Sequence, residues 1–150
     1  MKMIFTGMTL LMFILCGCSQ SSSQNIPEVV KAKFASMYPK INNPDWESED
    51  GKYEAAFKQD QIETAVIYNA DGSIFQTEAE IDPTTLPQSV REYVATQLGD
   101  KKISEATKII NATGNMSFEV KVNKVDHLFD ENGQYTGKEE IEAGEKDDHD

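Results

Sequence analysis

The stretch IPEVVKAKF at 26–34 decides the fold, because its pattern returns as LPQSVREYV at 86–94. Both stretches open with an apolar residue followed by proline, and they stand 60 positions apart. Further along, the turn sequence NADG at 69–72 is matched by DENG at 130–133, at an offset of 61. A single inserted residue accounts for the change of offset. The pattern predicts two copies of one supersecondary unit.

Each copy is expected to begin with an α-helix. Proline suits the first helical position, where its missing N–H would have no partner. Apolar residues recur at i, i+4 and i+8, which places them on one face of a helix. They are Ile26, Val30, Phe34, Met37 and Tyr38 in the first copy, and Leu86, Val90, Val94 and Leu98 in the second. Pro39 ends the first helix, and Gly99 is typical of the position just after a helix.

Strands are expected after each helix. The segments YEAAFK at 53–58 and MSFEVKV at 116–122 alternate apolar and charged residues, which is typical of a half-buried antiparallel strand. Asp-Gly and Asn-Gly pairs supply the tight turns between strands. We therefore predict an α+β fold, a tandem repeat of one helix plus about four antiparallel strands at 26–85 and 86–141. The helices are expected on one face of the sheet, with the other face in solvent.

Residues 1–17 are expected to leave as a signal peptide. Lys2 supplies a short positive region, and the apolar run 4–14 is shorter than the about 20 residues that cross a bilayer. The sequence LCGC that ends at Cys18 resembles the lipobox of bacterial lipoproteins, which implies cleavage before Cys18 and lipid on its sulfur. An ordinary signal peptide with two cysteines is the alternative. With Cys16 removed and Cys18 acylated, the mature chain has no thiol for a disulfide, a zinc site or a nucleophile.

Residues 18–25 are then the lipidated cysteine and a flexible tether, because this segment is polar and has no periodicity. Ser19 directly after the cysteine resembles the sorting position of lipoproteins that go to the outer membrane. The segment lacks the acidic run that resembles a surface-export signal in Bacteroidetes. The resemblance implies a lipid-anchored protein of the outer membrane that faces the periplasm.

The chain is strongly acidic, with 26 aspartates and glutamates against 14 lysines and arginines and a formal charge of −12. Loss of 1–17, whose one charged residue is Lys2, takes the charge from −12 to −13. Such a surplus repels phosphate backbones, so we exclude nucleic acid as a partner. The segment 142–150 is predicted to be an acidic disordered tail. A solvated tail is the plain interpretation, and weak cation binding by its carboxylates and His149 is the alternative.

The sequence offers no catalytic or metal-binding constellation. It contains no nucleophile elbow, zinc-binding histidine pair or phosphate loop. His127 shares the alternation of its apolar neighbours, which predicts a partly buried strand residue. Asp71 and Asp130 could bind calcium, but the spaced carboxylates of an EF-hand loop are missing, so hairpin turns explain them better. We predict a protein that is not an enzyme and needs neither a metal nor a cofactor.

Five residues are candidates for binding. Glu54 and Lys58 in one strand, and Glu119 and Lys121 in another, occupy the charged positions of an alternating pattern and are expected on the solvent-facing sheet surface. Trp46 lies in a short acidic segment, and tryptophan is frequent at binding hot spots. The alternative for Trp46 is that it caps the small core of the first repeat.

Several short motifs within 26–141 together resemble a known family. They are IPEVV at 26–30 with Phe34 and Tyr38-Pro39, YEAAF at 53–57, NADG at 69–72, and Leu86-Pro87 with Val90. These motifs resemble the PepSY-like, β-lactamase-inhibitor-like lipoproteins of Bacteroidetes. PepSY domains elsewhere are linked to peptidase inhibition, and the β-lactamase inhibitor blocks an enzyme with a sheet face. That inhibitor has disulfides, which the mature chain cannot form, so inhibition of a β-lactamase is not carried over.

We therefore predict an envelope lipoprotein with a non-enzymatic, PepSY-like binding or inhibitory module, which contacts another envelope protein through its open sheet face. A peptidase or a sensor would suit as that partner, and the lipid anchor adds the membrane. The alternative is a lipoprotein that binds cations or small ligands with its acidic surface. An enzyme is the third hypothesis. It would require a concave pocket that gathers titratable groups with shifted pKa values, and the sequence offers no residues for it.

Overall fold

A computed structural model describes residues 25–140, with side chains through Lys138. The predicted signal peptide, Cys18, the predicted tether up to residue 24 and the predicted tail at 142–150 lie outside the described residues. Two helices and eight strands follow one another along the chain. They are α1 Glu28–Met37, β1 Asp45–Glu49, β2 Lys52–Gln59, β3 Ile62–Asn69, β4 Ile74–Glu80, α2 Gln88–Gln97, β5 Ile103–Asn111, β6 Met116–Val122, β7 Val125–Asp130 and β8 Tyr135–Glu140.

All eight strands form one antiparallel sheet in which each strand pairs with the next along the chain. The connection from β4 to β5 contains a 3₁₀ turn, Pro83–Thr85, and then α2, yet the two strands are direct neighbours, with Thr77 opposite Ile110. Each half of the chain therefore contributes one helix and four consecutive strands to a single sheet. The predicted α+β class and antiparallel pairing are confirmed.

Both helices pack on the same face of the sheet, as the strand register shows. Helix α1 packs against Ala55 and Val66, and α2 packs against Ala106. Val66 lies opposite Thr77, which lies opposite Ile110. Ile110 and Ala106 are four residues apart in an unbroken part of β5, so their side chains point to the same side. We call this side the helix face and the other side the open face.

Each helix begins directly after a proline. The sequence predicted that Pro27 and Pro87 would be the first helical residues, and this is wrong. Their ψ angles of 140° and 144° are not helical, so each proline directly precedes its helix. The reason is that the proline carbonyl already accepts helical hydrogen bonds. The carbonyl of Pro27 accepts from Val30 N at 3.0 Å and from Lys31 N at 3.1 Å.

In both halves one hairpin lies against the first turn of the helix. Gly72, in the β3–β4 turn, has φ +82°, and a Cβ there would lie 3.2 Å from the backbone oxygen of Val29. Gly133, in the β7–β8 turn, has φ +74°, and a Cβ there would collide with the Ser89 side chain. These two positions require glycine for both the backbone angle and the close approach.

Strand β1 is the element that the sequence analysis described only as an acidic segment. Its residues are DWESE, and four of the five are exposed. Aspartate and glutamate are rare in strands, so the composition argues against a strand there. The segment becomes a strand because it pairs along its full length with β2, from Asp45 opposite Ala56 to Glu49 opposite Lys52.

Candidate functional site

The open face carries a high density of charged side chains, most of them acidic. The strand register places these residues on it: Asp45, Glu47, Glu49, Lys52, Glu54, Lys58, Glu63, Glu78, Glu80, Glu105, Glu119, Lys121 and Asp126. Carboxylates outnumber lysines across β1 to β7. Neither α1 nor α2 packs on this face.

Parts of the open face are nevertheless buried. Ala65 on this face is 0% exposed. Three acids of the face are also buried: Glu78 is 8%, Glu119 is 5% and Asp126 is 1% exposed. The expectation that Glu119 faces solvent is therefore corrected. Register shifts in β3–β4, β5–β6 and β7–β8 mark bulges, which bend strands.

Glu54 is an acid of this face with a strongly raised pKa. It lies directly opposite Glu47 on one side and Ile67 on the other. Its Oε1 atom is enclosed and has no hydrogen-bond partner among the residues that the structure describes. Burial raises the pKa of Glu54 to about 8, with further increases from the charges of Glu78, Glu47 and Glu49. This carboxyl group therefore holds its proton at neutral pH.

Two groups of ion pairs neutralise part of the surface. Lys58 Nζ lies 2.6 Å from Glu63 Oε1. Lys121 Nζ lies 2.8 Å from Glu105 Oε2 and 3.8 Å from Asp126 Oδ1. Burial works to lower the pKa of Lys121, but the hydrogen bond to Glu105 and the nearby carboxylates raise it overall. Lys121 therefore stays charged between the carboxylates of Glu105 and Asp126. This ion-pair network occupies the β5–β7 part of the open face.

A cavity of about 710 Å³ opens on the β1–β5 part of the same face. Ala56 forms part of its floor. Its charged lining consists of four carboxylates and two lysines, namely Asp45, Glu63, Glu80, Glu105, Lys40 and Lys58. Lys58 is paired with Glu63, and Glu105 is paired with Lys121 outside the lining, which leaves Asp45 and Glu80 against Lys40. The cavity has the chemistry to receive a cationic group.

The structure brings four of the five predicted binding residues to one face. Glu54 and Lys58 lie in β2, and Glu119 and Lys121 lie in β6, all on the open face. The two pairs are separated by four strand spacings, or about 19 Å. They therefore belong to one surface but do not form one compact cluster.

Trp46 lies on the helix face, away from the other four. Its ring is 5.5 Å from the ring of Phe34 in an edge-to-face arrangement and 6.4 Å from that of Tyr68. It is partly buried and packs on the core of the first half. These contacts match the alternative of a residue that caps this core, and we leave Trp46 out of the candidate surface.

Sequence reasoning missed several acids that define the face. Glu78 and Glu80 could have been found, because they alternate with Thr77 and Ala79 along β4. Glu105 and Asp126 could not, since their meeting at Lys121 depends on the pairing of β5, β6 and β7. Alternation within one strand gives the side of a residue, but only the register gives its neighbours.

The remaining chemical candidates have structural roles. His127 lies on the helix face and is 7% exposed, and burial followed by the charge of Lys138 lowers its pKa. Asp71 accepts a hydrogen bond from Ser73 N at 2.9 Å, and Asp130 accepts one from Gln134 N at 2.9 Å, as expected for hairpin turns. Within 25–140 no group of three or more histidine, cysteine or acidic side chains is arranged to hold a metal ion. In the same range no helix is long and apolar enough to cross a membrane.

The fold and the site define an α+β protein with an eight-stranded antiparallel sheet, two helices on one face and an acidic open face. Several solved structures from Bacteroides share this fold. A protein of Bacteroides eggerthii described as periplasmic superposes with a TM-score of 0.68 at 19% identity, over 77% of this chain and 88% of that one. A DUF2874 family protein of Bacteroides uniformis gives 0.64 at 16% identity, over 79% and 92%.

A BLIP-like protein of Bacteroides fragilis also shares the fold, with a TM-score of 0.57 at 20% identity, over 80% of this chain and 90% of that one. No family model matches the sequence, and no curated protein matches it. At these identities the likeness establishes a common fold and nothing about activity.

Proposed function

We propose that the chain is an envelope lipoprotein whose folded part is a PepSY-like, non-enzymatic binding or inhibitory module. In this proposal the open face contacts another protein of the envelope, for which a peptidase or a sensor is the class that suits best. The observation that carries the proposal is the acidic open face itself, which spans β1 to β7 and which neither helix covers. A surface that extends over this many strands has the dimensions of a protein interface.

Two of the fold relatives support the proposal. One is described as periplasmic and another as BLIP-like. A periplasmic module with an inhibitor-like fold would use its sheet surface for contact and would need no catalytic group. The mature chain cannot form the disulfides of the β-lactamase inhibitor, so the proposal does not extend to β-lactamases.

Membrane attachment through Cys18 is the second part of the proposal. Residues 19–24 would connect the lipid to the fold with a reach of about 20 Å when extended. That length keeps the module close to the inner surface of the outer membrane. Labelling of growing cells with an alkyne fatty acid should mark the chain, and Cys18→Ala should abolish the label and release the protein from membranes. A fully labelled Cys18→Ala chain would contradict lipidation at this position.

The internal duplication is the third part. In both halves the hairpin glycine contacts the first turn of that half's helix, Gly72 at Val29 and Gly133 at Ser89. Val29 and Ser89 are 60 positions apart and the two glycines are 61 apart, which are the offsets of the sequence repeat. We propose that one helix-and-four-strand unit was copied and that both copies extend a single sheet.

Photo-crosslinking in growing cells tests the central part of the proposal. A photoreactive residue is placed at Glu49, which is exposed on the open face, or at Lys33, which is exposed on α1 on the other side of the sheet. A discrete adduct from position 49 and none from position 33 is the expected result. Adducts of equal yield from both positions, or none from position 49, would count against an open-face interface.

A second candidate function is the binding of cations or small ligands, and the cavity of about 710 Å³ with its four carboxylates favours it. Calorimetry with calcium and zinc, on the full chain and on a chain without 142–150, separates the contribution of the face from that of the tail. Heat from both chains supports this candidate, and no heat from either removes it.

A further inference from the structure

We infer that the partner presents lysine or arginine side chains to the open face, and that one of them enters the cavity beside Asp45 and Glu80. This inference rests on the proposed function, because it specifies the chemistry of the protein that the open face would contact. Three observations carry it: the charge left over after internal pairing, an enclosed carboxyl oxygen, and the extent of the acidic surface.

The first observation is that internal pairing leaves acids without counter-charges. Lys58 is engaged by Glu63, and Lys121 by Glu105 and Asp126. The third lysine of the face, Lys52, has its Nζ 5.0 Å from the centre of the Phe75 ring.

Among residues 25–140 no ion pair involves Asp45, Glu47 or Glu80, and all three are exposed on this face. A partner with cationic side chains would complete the pairing that the chain itself leaves open.

The second observation is Glu54 Oε1, which is enclosed and has no hydrogen-bond partner among the described residues. An enclosed carboxyl oxygen without a donor is costly, because it has lost the hydrogen bonds of water and gained none in return. Glu54 as a whole is partly exposed, so an ammonium or guanidinium group from a partner would lie beside this carboxyl group and favour its charged form. The acids around it, Glu47 and Glu78, would strengthen the attraction for a cation and would repel an anion.

The third observation is the width of the acidic surface across the strands. From Glu47 in β1 to Glu105 in β5 the acids that are not buried span four strand spacings, or about 19 Å. A small polyamine or one metal ion would engage only part of this width, whereas a protein segment would engage all of it. A second copy of the same chain would present the same acids and would be repelled. A basic protein surface is therefore the occupant that fits.

A defined peptide pair tests the charge requirement with the full chain in detergent. One labelled peptide alternates lysine with serine and the other alternates glutamate with serine, and both are long enough to cross five strands. Fluorescence anisotropy should show binding of the lysine peptide only, with an affinity that falls as salt is added. The variant D45N/E47Q/E80Q should weaken binding by at least about tenfold.

The matched control is E28Q/E92Q/D100N, which removes the same charge from exposed positions away from the open face. It should retain nearly full affinity for the lysine peptide. Equal losses in the two variants, or equal binding of the acidic peptide, would overturn the inference, because either result would reflect net charge alone. Full competition by spermine at an equal concentration of cationic groups would also overturn it in favour of a small-cation site.

Crosslinking in cells separates this inference from the proposed function. With the photoreactive residue at position 49, D45N/E47Q/E80Q should lose most of the adduct that the unsubstituted face gives. An adduct that persists at full yield would leave the proposed interface standing and would refute a cationic partner. If even the unsubstituted face gives no adduct, the proposed function fails and this inference fails with it.

Discussion

At the scale of the residue, Glu54 is the clearest place where local chemistry departs from expectation. Strand alternation predicted its side correctly, but it also suggested a solvated charge. The structure encloses part of the carboxyl group among Glu47, Glu49, Glu78 and Ile67. Alternation could not predict this, because all four of these neighbours come from other strands that approach only after the sheet has formed.

The raised pKa of Glu54 predicts a pH dependence of stability. The folded chain holds this proton up to about pH 8, whereas the unfolded chain releases it near 4.5. Between these values the folded state binds more protons, so the free energy of unfolding should fall as pH rises. The charged groups that face Glu54 are Glu47, Glu49 and Glu78, with Lys52 on its own strand.

Glu54→Gln should flatten this slope and should raise the free energy of unfolding at pH 8 by about 1–3 kcal/mol. Urea unfolding of both chains between pH 5 and pH 8 measures the effect. Glu92→Gln, at an exposed position on α2, is the control and should follow the unsubstituted chain. Parallel pH curves for Glu54→Gln and the unsubstituted chain would show that Glu54 ionises normally.

Trp46 gives a second test at this scale, because its two interpretations predict different losses. If Trp46 is a core residue packed on Phe34 and Tyr68, the substitution Trp46→Ala should lower the free energy of unfolding by about 2–4 kcal/mol. Trp46→Phe should recover most of that loss. If Trp46→Ala instead leaves stability unchanged and removes the crosslink from position 49, the binding interpretation is correct.

At the scale of the element, the hairpin that lies on each helix explains why two turn glycines matter more than the others. The Asp-Gly and Asn-Gly pairs predicted tight turns at these glycines, and their positive φ values agree. The contact with the helix could not be predicted, since nothing in a turn sequence indicates which surface the turn will meet. Strand β1 was missed for a related reason, because its stability comes from pairing with β2 and its composition opposes a strand.

Replacement of Gly133 by alanine tests the contact itself. A Cβ at this position would meet the Ser89 side chain and would lie 3.1 Å from Val90 Cγ2, in addition to the strain of φ +74°. Gly51 has φ +72° but no atom within 4 Å of the added Cβ, so Gly51→Ala measures the backbone strain alone.

We expect Gly51→Ala to lower the free energy of unfolding by about 1 kcal/mol and Gly133→Ala to lower it by at least about 1 kcal/mol more. Thermal and urea unfolding of the two variants provide the comparison. Losses of equal size would mean that the hairpin does not depend on its contact with α2.

At the scale of the whole molecule, the fold is one sheet with two separate apolar clusters. One cluster joins α1 to β2 and β3, and the other joins α2 to β5, β6 and β7. The repeat in the sequence predicted two helices with strands after each, and this much could be inferred from spacing alone. The register that joins the two halves could not be inferred, because the β4–β5 pairing has no counterpart within either half.

The separation of the clusters predicts additive energetics. Val30 in α1 and Val90 in α2 are both 0% exposed and occupy equivalent positions 60 residues apart. Each change to alanine should cost about 1–3 kcal/mol of unfolding free energy, and the double variant should equal the sum within about 0.5 kcal/mol. A coupling energy well above that margin would show that the two clusters act as one core.

The open face is also a property of the whole molecule, since it exists only when strands from both halves are paired. Carboxyl footprinting in intact cells tests its role most directly, because it needs no substitution in the chain. A carbodiimide and a small amine label exposed acids, and mass spectrometry compares cells with the purified protein. We expect Asp45, Glu47 and Glu80 to be protected in cells, while Glu28 and Glu92 on the helices react equally in both samples. Equal labelling of all five acids in both samples would contradict a binding function for the open face.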